Sequence, residues 1–304
     1  MYITKTENIL TRLTKFIMNR KVVRFLYGTL YLCATPIGNL EDITLRVLRL
    51  LKECDVIAAE DTRHTLGLLN HFDIHTPLTS YHEHNKVQKG SKLIEMLKEG
   101  KNIALVTDAG MPGISDPGAD MVALCREEGI NVTVAPGAVA GITALVLSGL
   151  PTRRFSFEGF LPYDKKERRE VLKSIEKETR TIIFYEAPHH LKDTLKELYN
   201  TLGDRNVACI RELTKRYEEV KKEPLSTLIK YYDENQPKGE FVVIVEGLSR
   251  EELRKSEIES FEEMTIEDHM LMYTEKGMSE KDAMKQVAKD RGVSKRDIYA
   301  YLHK

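Results

Sequence analysis

Short apolar runs alternate with longer amphipathic stretches through the first half of the chain. Thr29–Ala34, Asp55–Ala59, Asn102–Thr107 and Asn131–Ala135 have the length and character of strands buried in a parallel sheet. Between them, Asp42–Glu53 sets Ile43, Val47, Leu50 and Leu51 on one helical face, and Lys89–Lys98 and Ala119–Glu128 keep the same period. Such alternation predicts an open α/β sheet. The pattern breaks at Gly149-Leu150-Pro151, and a second set begins. Its strands are expected at Phe155–Phe160, Thr181–Tyr185, Val207–Ile210 and Phe241–Val245, and its helices at Lys165–Lys177, Leu191–Leu202 and Leu225–Tyr232. The chain thus reads as two α/β domains, 29–150 and 151–248, behind an N-terminal extension, 1–28. After an acidic stretch come three short helical patterns, Ile266–Thr274, Glu280–Lys289 and Lys295–Tyr301. Gly277 and Gly292 stop the first two, and Ser279 and Ser294 are N-caps for those that follow. Residues 262–304 are read as a small helical appendage of helix-turn-helix type.

One window qualifies this picture. Ile130–Thr152 contains no Asp, Glu, Lys or Arg and is long enough to span a bilayer. Pro136-Gly137, Gly141, Gly149 and Pro151 interrupt it, so we expect a strand, a turn and a helix at Ala138–Ser148 that is apolar on every side and buried in a core. No membrane partner is expected.

The 304 residues are 41% hydrophobic and 31% charged, which excludes disorder, collagen and coiled coil as descriptions of the whole. The net charge of −1 conceals an uneven distribution. Residues 1–30 carry six bases and one acid, residues 246–268 nine acids and three bases, and the chain from Lys276 onward eight bases and four acids. Basic ends suit a polyanionic partner, while the neutral total argues against a protein that coats DNA. Cys33, Cys54, Cys125 and Cys209 form no C-x-x-C pair, which fits reduced thiols in the cytoplasm. Ile9–Tyr27 is basic and partly apolar, and reads either as an amphipathic targeting helix or as an extension ahead of a start at Met18.

The densest chemical signal is Asp108–Gly118 (DAGMPGISDPG), with three glycines and two prolines in eleven residues after the third expected strand. In an open parallel sheet ligands gather at the carboxyl ends of strands, and such a loop offers a rigid, accessible backbone. A tight turn without a ligand is the bland alternative. Neither the dinucleotide nor the P-loop fingerprint occurs. A second turn, Ala135–Gly141, follows the fourth expected strand, and together the two suggest one shared pocket. Ala58–Arg63 ends the second strand with Glu60, Asp61 and Arg63, suited to acid–base work or to a structural Asp61–Arg63 ion pair. Five of the nine histidines lie between His64 and His84, and His82-x-His84 on a strand would aim two rings at one face. No acidic set at metal-site spacing accompanies them, so no metal is assigned. Lys215 serves as a base if its surroundings lower its pKa, and otherwise is a solvated lysine. Arg153, Arg154, Lys165, Lys166, Arg168 and Arg169 form a basic cluster able to hold phosphates, or simply a hydrated face.

Together these stretches resemble the tetrapyrrole-methylase-like superfamily, the class III S-adenosylmethionine-dependent methyltransferases. The motifs look most like those of its bacterial 16S rRNA cytidine 2′-O-ribose methyltransferases. They are Leu30–Thr44 (LYLCATPIGNLEDIT), Ala59–Arg63 (AEDTR), Tyr81–Asn85 (YHEHN), Asp108–Gly118, Pro136-Gly137, Phe184–His189 (FYEAPH) and Arg211–Lys215 (RELTK). The resemblance starts near Leu30 and leaves residues 1–28 outside it.

It implies two α/β domains with S-adenosyl-L-methionine in the cleft between them, and a homodimer. Carried onto this chain, cofactor contacts fall at Asp108, Ala109, Gly110, Met111 and Ile114, at Val139 and Ala140, and at Glu186 and Leu213. Met111 stands where tetrapyrrole-modifying relatives have an acid, a departure that fits a different substrate. A ribose hydroxyl needs a base, for which Glu60, Asp61 and Lys215 are the candidates. Arg63, Arg153, Arg154, Lys166 and Arg169, with the basic terminal helices, are expected to hold 16S rRNA in the 30S subunit. Two other functions stay open: methylation of a tetrapyrrole or another small molecule, and a nucleic-acid-binding regulator.

Overall fold

The computed structural model describes residues 27–262 and 264–303. Ile9–Tyr27, apart from Tyr27 itself, and nearly all of the 1–28 extension therefore lie outside the described residues. Contacts divide the chain into two units. The first runs to Leu147 and includes Ile210–Val220 and Gly239–Val242; the second holds Ser148–Cys209, Lys221–Lys238 and the chain from Val243 onward.

Five strands form the first sheet: β1 (Thr29–Cys33), β2 (Val56–Ala59), β3 (Leu78–Ser80), β4 (Ile103–Val106) and β5 (Asn131–Ala135). Their order is β3-β2-β4-β1-β5, and every pairing is parallel. Strand alternation loads both faces. Leu30 and Leu32 of β1, with Ile103 and Leu105 of β4, pack with Leu93, Ile94 and Leu97 of helix Lys86–Lys98. Their neighbours Tyr31, Cys33, Ala104 and Val106 pack on Val47, Leu50 and Leu51 of helix Leu45–Glu53, which Thr44 caps by accepting the Val47 amide.

The second sheet has the order β6-β7-β10-β8-β9, with β6 (Phe155–Gly159), β7 (Thr181–Glu186), β8 (Asn206–Arg211), β9 (Glu219–Pro224) and β10 (Phe241–Val245). β6 and β7 are parallel, with an irregularity between Phe157 and Gly159. Helices Lys165–Ser174, Leu191–Leu202 and Leu225–Glu234 belong to the same half of the sequence. Arg205 follows the second of these and is almost fully buried. Its guanidinium donates to the carbonyls of Leu202 (3.1 Å), Glu178 (3.1 Å) and Glu176 (2.6 Å). Arg205→Ala removes these charge-assisted bonds and leaves the buried Leu202 carbonyl without its side-chain donor, while Glu178 O keeps the Leu248 amide (2.8 Å). Urea unfolding of the full chain is expected to show a loss of about 2–3 kcal/mol. An unchanged midpoint would mean that the three bonds contribute no net stability.

At the C-terminus, Ile266–Thr274, Glu280–Asp290 and Lys295–Leu302 close on a small core of Met270, Ala283, Met284, Val287, Ala288 and Ile298. Ser279 and Ser294 cap the last two helices, Ser294 in a capping box with Asp297, and Gly277 and Gly292 turn with positive φ. The acidic stretch before them contains a further helix, Arg250–Glu262, whose charge-dense sequence shows little apolar periodicity to predict it.

Three expectations need correction. The helix Ala140–Leu147 is not enclosed: Gly141, Ala144 and Leu145 are buried, but Ile142, Val146 and Leu147 are 43%, 69% and 43% exposed. Its composition made every face apolar, and composition cannot supply a neighbour for each face. His82 and His84 do not lie on a strand. β3 ends at Ser80, and Asn85 turns the chain by accepting the His82 amide at 2.9 Å. β3 and the helix Thr62–His71 were both missed, so the Asp108 loop follows the fourth strand instead of the third.

Candidate functional site

The connection from β1 leads to β2 on one side, and the connection from β4 leads to β5 on the other, so the order reverses between the adjacent strands β4 and β1. Ligand crevices open at such a reversal, beyond the carboxyl ends of the strands. Here the two loops are sewn together. Thr35 donates its amide to Gly110 O (2.9 Å), Gly110 donates to Thr35 O (3.2 Å), and the Thr35 hydroxyl donates to Thr107 O (3.2 Å). Gly110 has φ +83°, and a Cβ there would lie 3.1 Å from Ile37 Cγ2 and 3.2 Å from Ala138 O. The far side of the loop is stapled by Asp116, whose carboxylate accepts the amides of Gly113, Ile114 and Gly118 at 2.8–3.1 Å. Burial pushes the Asp116 pKa up in spite of these donors.

A cavity of about 700 Å³ opens beside these loops within the first unit. Thr35, Ile37 and Gly38 line it from the β1 loop, Thr107, Asp108 and Ala109 from the β4 loop, and Arg63 and His64 from the helix after β2. Lys215 and Glu240 complete the wall. The Ala135–Gly141 turn is not part of that lining, contrary to the shared-pocket expectation; Ala138 O instead backs Gly110. Val139 and Ala140 are half-buried at the start of the next helix, Met111 is half-buried, and Ile114 is 39% exposed on the loop.

The acidic residues after β2 differ in their commitments. Asp61 caps the helix Thr62–His71 and grips Arg63 with both carboxylate oxygens, at 3.1 and 2.7 Å. Those bonds hold its carboxyl far below the usual range. Glu60 accepts the Thr107 hydroxyl at 2.6 Å through Oε2. Asp108 accepts the Asp61 amide at 3.0 Å, and its pKa is raised, chiefly by burial and further by the Glu60 charge.

Lys215 overturns one expectation. Burial alone would lower its pKa, but Glu240 at 2.7 Å and Glu212 at 3.0 Å outweigh it and the pKa is raised. Lys215 is therefore a fixed cation here, and a low-pKa base it is not. The turn that carries it is strained, with positive φ at Glu212 (50°) and Thr214 (66°). It packs directly on the first loop: a Cβ on Gly38 (φ +149°) would come within 2.5 Å of Lys215 Cγ and 2.9 Å of the Thr214 hydroxyl. Buried Leu213 sits in the same turn. Sequence reasoning missed Glu240, which lies 25 residues from Lys215 and has no motif around it, and Asp116, whose place in a D-P-G turn was a usable signal.

In the second unit, Glu186 ends β7 at 6% exposure. Its carboxylate accepts the Ala187 amide (2.9 Å) and the Thr194 hydroxyl, which in turn accepts from Arg168 (2.7 Å). Arg153 and Arg154 are exposed just before β6, and Lys166 and Arg169 are exposed on helix Lys165–Ser174. Burial pushes the Cys33, Cys125 and Cys209 thiols up to about 12 and Cys54 to about 11, so all four are held as unreactive thiols. Among the described residues no group of three or more His, Cys, Asp or Glu could hold a metal ion, and no helix is long and apolar enough to cross a membrane.

A parallel α/β sheet with a glycine-rich loop at its switch point, followed by a second five-stranded sheet, defines a methylase-type architecture. Solved structures share it: diphthine synthase at TM-score 0.58 and 16% identity, over 72% of this chain and 89% of that one, and uroporphyrin-III-C-methyltransferase from Thermus thermophilus at 0.51 and 21%, over 71% and 94%. At these identities the likeness is one of fold. The chain belongs to the tetrapyrrole (corrin/porphyrin) methylase family, whose pattern matches residues 29–229. It is 54% identical over 276 residues to the ribosomal RNA small subunit methyltransferase I of Halalkalibacterium halodurans, covering 91% of this chain and 95% of the relative. The protein of the same name from Bacillus subtilis is 50% identical (91% and 94% covered), and that from Escherichia coli O157:H7 is 47% identical (90% and 94%).

Proposed function

We propose that this protein transfers a methyl group from S-adenosyl-L-methionine to the ribose 2′-oxygen of a cytidine in 16S rRNA, on the 30S subunit in the cytoplasm. The observation that carries the reading is the 54% identity, over nearly the whole of both chains, to a relative named as a small-subunit rRNA methyltransferase. The first unit has what a small apolar-and-polar ligand needs. Its cavity falls in the size range of small-molecule sites, and Gly110, close-packed against Ile37 and the Ala138 carbonyl where a Cβ would crowd both, fixes the backbone of the loop beside it. Asp108, Ala109, Gly110, Met111 and Ile114 would hold the cofactor through the loop backbone, with Val139, Ala140 and Leu213 of the same unit as further contacts. When bound, S-adenosylmethionine supplies a methyl on a sulfonium sulfur, already activated for transfer.

What the chain must add is alignment and a proton acceptor. Asp61 is committed to Arg63 and Lys215 is held protonated, so neither suits the task. Asp108 lines the cavity with a raised pKa, nearer to that of an efficient general base, and accepts the hydroxyl proton as the oxygen–methyl bond forms. Glu60 tunes it by charge. Lys215, held between Glu212 and Glu240, fixes its turn against the β1 loop, while Arg63, once RNA draws it from Asp61, and Arg153, Arg154, Lys166 and Arg169 bind RNA phosphates. The same reading includes a homodimer; exposed Val134, Ile142, Val146 and Leu147 are the apolar side chains that self-association would cover.

The test is transfer of labelled methyl to unmodified 30S subunits, with free 16S rRNA and protein-only controls. Label in the 30S RNA is expected. Cofactor binding without label in any RNA would refute the substrate, and absence of cofactor binding would refute the activity.

A further inference from the structure

In the second unit, aromatic rings crowd the carboxyl ends of β6 and β7. Phe157 and Phe160 both pack edge-on against Tyr185, at 5.1 and 5.6 Å between centroids. Tyr163 packs against His190 at 5.7 Å. These rings are poorly covered: Phe157 is 38%, Phe160 54% and Tyr163 83% exposed. Rings grouped in water at a strand end mark a contact surface.

The chain then enters helix Lys165–Ser174 only two residues after Tyr163. Lys165, Arg169 and Lys173 recur every fourth residue and so share one stripe. That stripe lines a groove of about 690 Å³, facing Asn200 and Thr201 of helix Leu191–Leu202. Arg168 is already spent on Glu197 (2.5 Å) and Thr194 (2.7 Å), whereas the three stripe cations have no carboxylate partner among the described residues. Two carboxylates line the same groove, Glu176 and the Arg168-bound Glu197, which leaves the cations in excess. Lys166 lies outside it.

We propose that rings and stripe together form a track for single-stranded RNA, bases stacking on Phe157, Phe160 and Tyr163 and phosphates seating on Lys165, Arg169 and Lys173. Exposed aromatics followed directly along the chain by unpaired cations suit an unpaired strand, whose bases are free to stack while its phosphates follow the positive groove. A duplex would hide the faces that the rings need. The inference rests on the rRNA reading and deepens it: the substrate is engaged as an opened strand over the second unit.

Two full-length variants separate the contributions. Lys165→Ala/Arg169→Ala/Lys173→Ala removes three phosphate contacts. At 0.1 M salt it is expected to weaken binding to 30S subunits and to an unstructured 12-nucleotide RNA about 100-fold, with a log–log salt slope shallower by about 2. Phe160→Ala/Tyr163→Ala removes stacking. It is expected to weaken both about 10- to 100-fold with the salt slope unchanged. Cofactor affinity, measured alongside, stays at the wild-type value and shows that the variants are folded. A Lys52→Ala control in the first unit leaves RNA affinity unchanged. Wild-type RNA affinity in both variants overturns the proposal while the rRNA reading survives. A ring variant that breaks a dimer and keeps its RNA affinity assigns the rings to a protein interface and overturns it as well. If the wild-type chain binds no RNA, the rRNA reading and this inference fall together.

Discussion

Asp108→Asn is expected to lower single-turnover methyl transfer by about 10²- to 10⁴-fold, the range that a positioned general base contributes, with cofactor affinity changed only a few-fold. The carboxylate lines the cavity, and burial keeps its pKa above that of an ordinary aspartate. A base works only when deprotonated, so the wild-type rate rises with pH through the pKa of Asp108. That acid limb should lie above the ordinary aspartate range. Glu60 contributes to the rise through its charge, so Glu60→Gln should move the limb to lower pH and leave its shape intact. A limb unmoved by Glu60→Gln, or an Asp108→Asn enzyme within a few-fold of wild type, would place the proton acceptor elsewhere.

Gly110→Val should act on binding more than on chemistry. At φ +83° any side chain is strained, a β-branched one most of all. Its Cβ would also press on Ile37 Cγ2 at 3.1 Å and on the Ala138 carbonyl at 3.2 Å. Relief requires the Asp108 loop to slide off its paired bonds with Thr35, which shape the cavity. A cost of about 1–2 kcal/mol in the competent loop conformation corresponds to roughly a 10-fold loss of cofactor affinity. Calorimetric titration of the full chain checks it. Wild-type affinity would mean that the ligand does not depend on this loop.

Much of the architecture was legible because burial writes itself into the sequence with a period. β5 and helix Leu191–Leu202 fall on the residues that the apolar pattern predicted. β3 escaped because Leu78–Ser80 is three residues long and has no alternation to detect, and β9 because Glu219–Pro224 is mostly charged and shows no apolar pattern. The Asp108 loop was legible from its glycines and prolines, which encode backbone geometry locally. The state of Lys215 was not, since the carboxylate 2.7 Å away comes from Glu240 and only folding brings it there. The same limit applies to helix Ala140–Leu147, where composition announced apolar faces and said nothing of which would be covered.

The most direct measurement of the central claim uses the chemistry of the product. A methyl on the 2′-oxygen removes the nucleophile that alkaline hydrolysis of RNA requires. After incubation with labelled S-adenosylmethionine and unmodified 30S subunits, 16S rRNA is hydrolysed in alkali and separated by size and base. The account predicts label in one alkali-resistant dinucleotide with a cytidine at its 5′ side. Label recovered in mononucleotides would mean methylation of a base, and would contradict it.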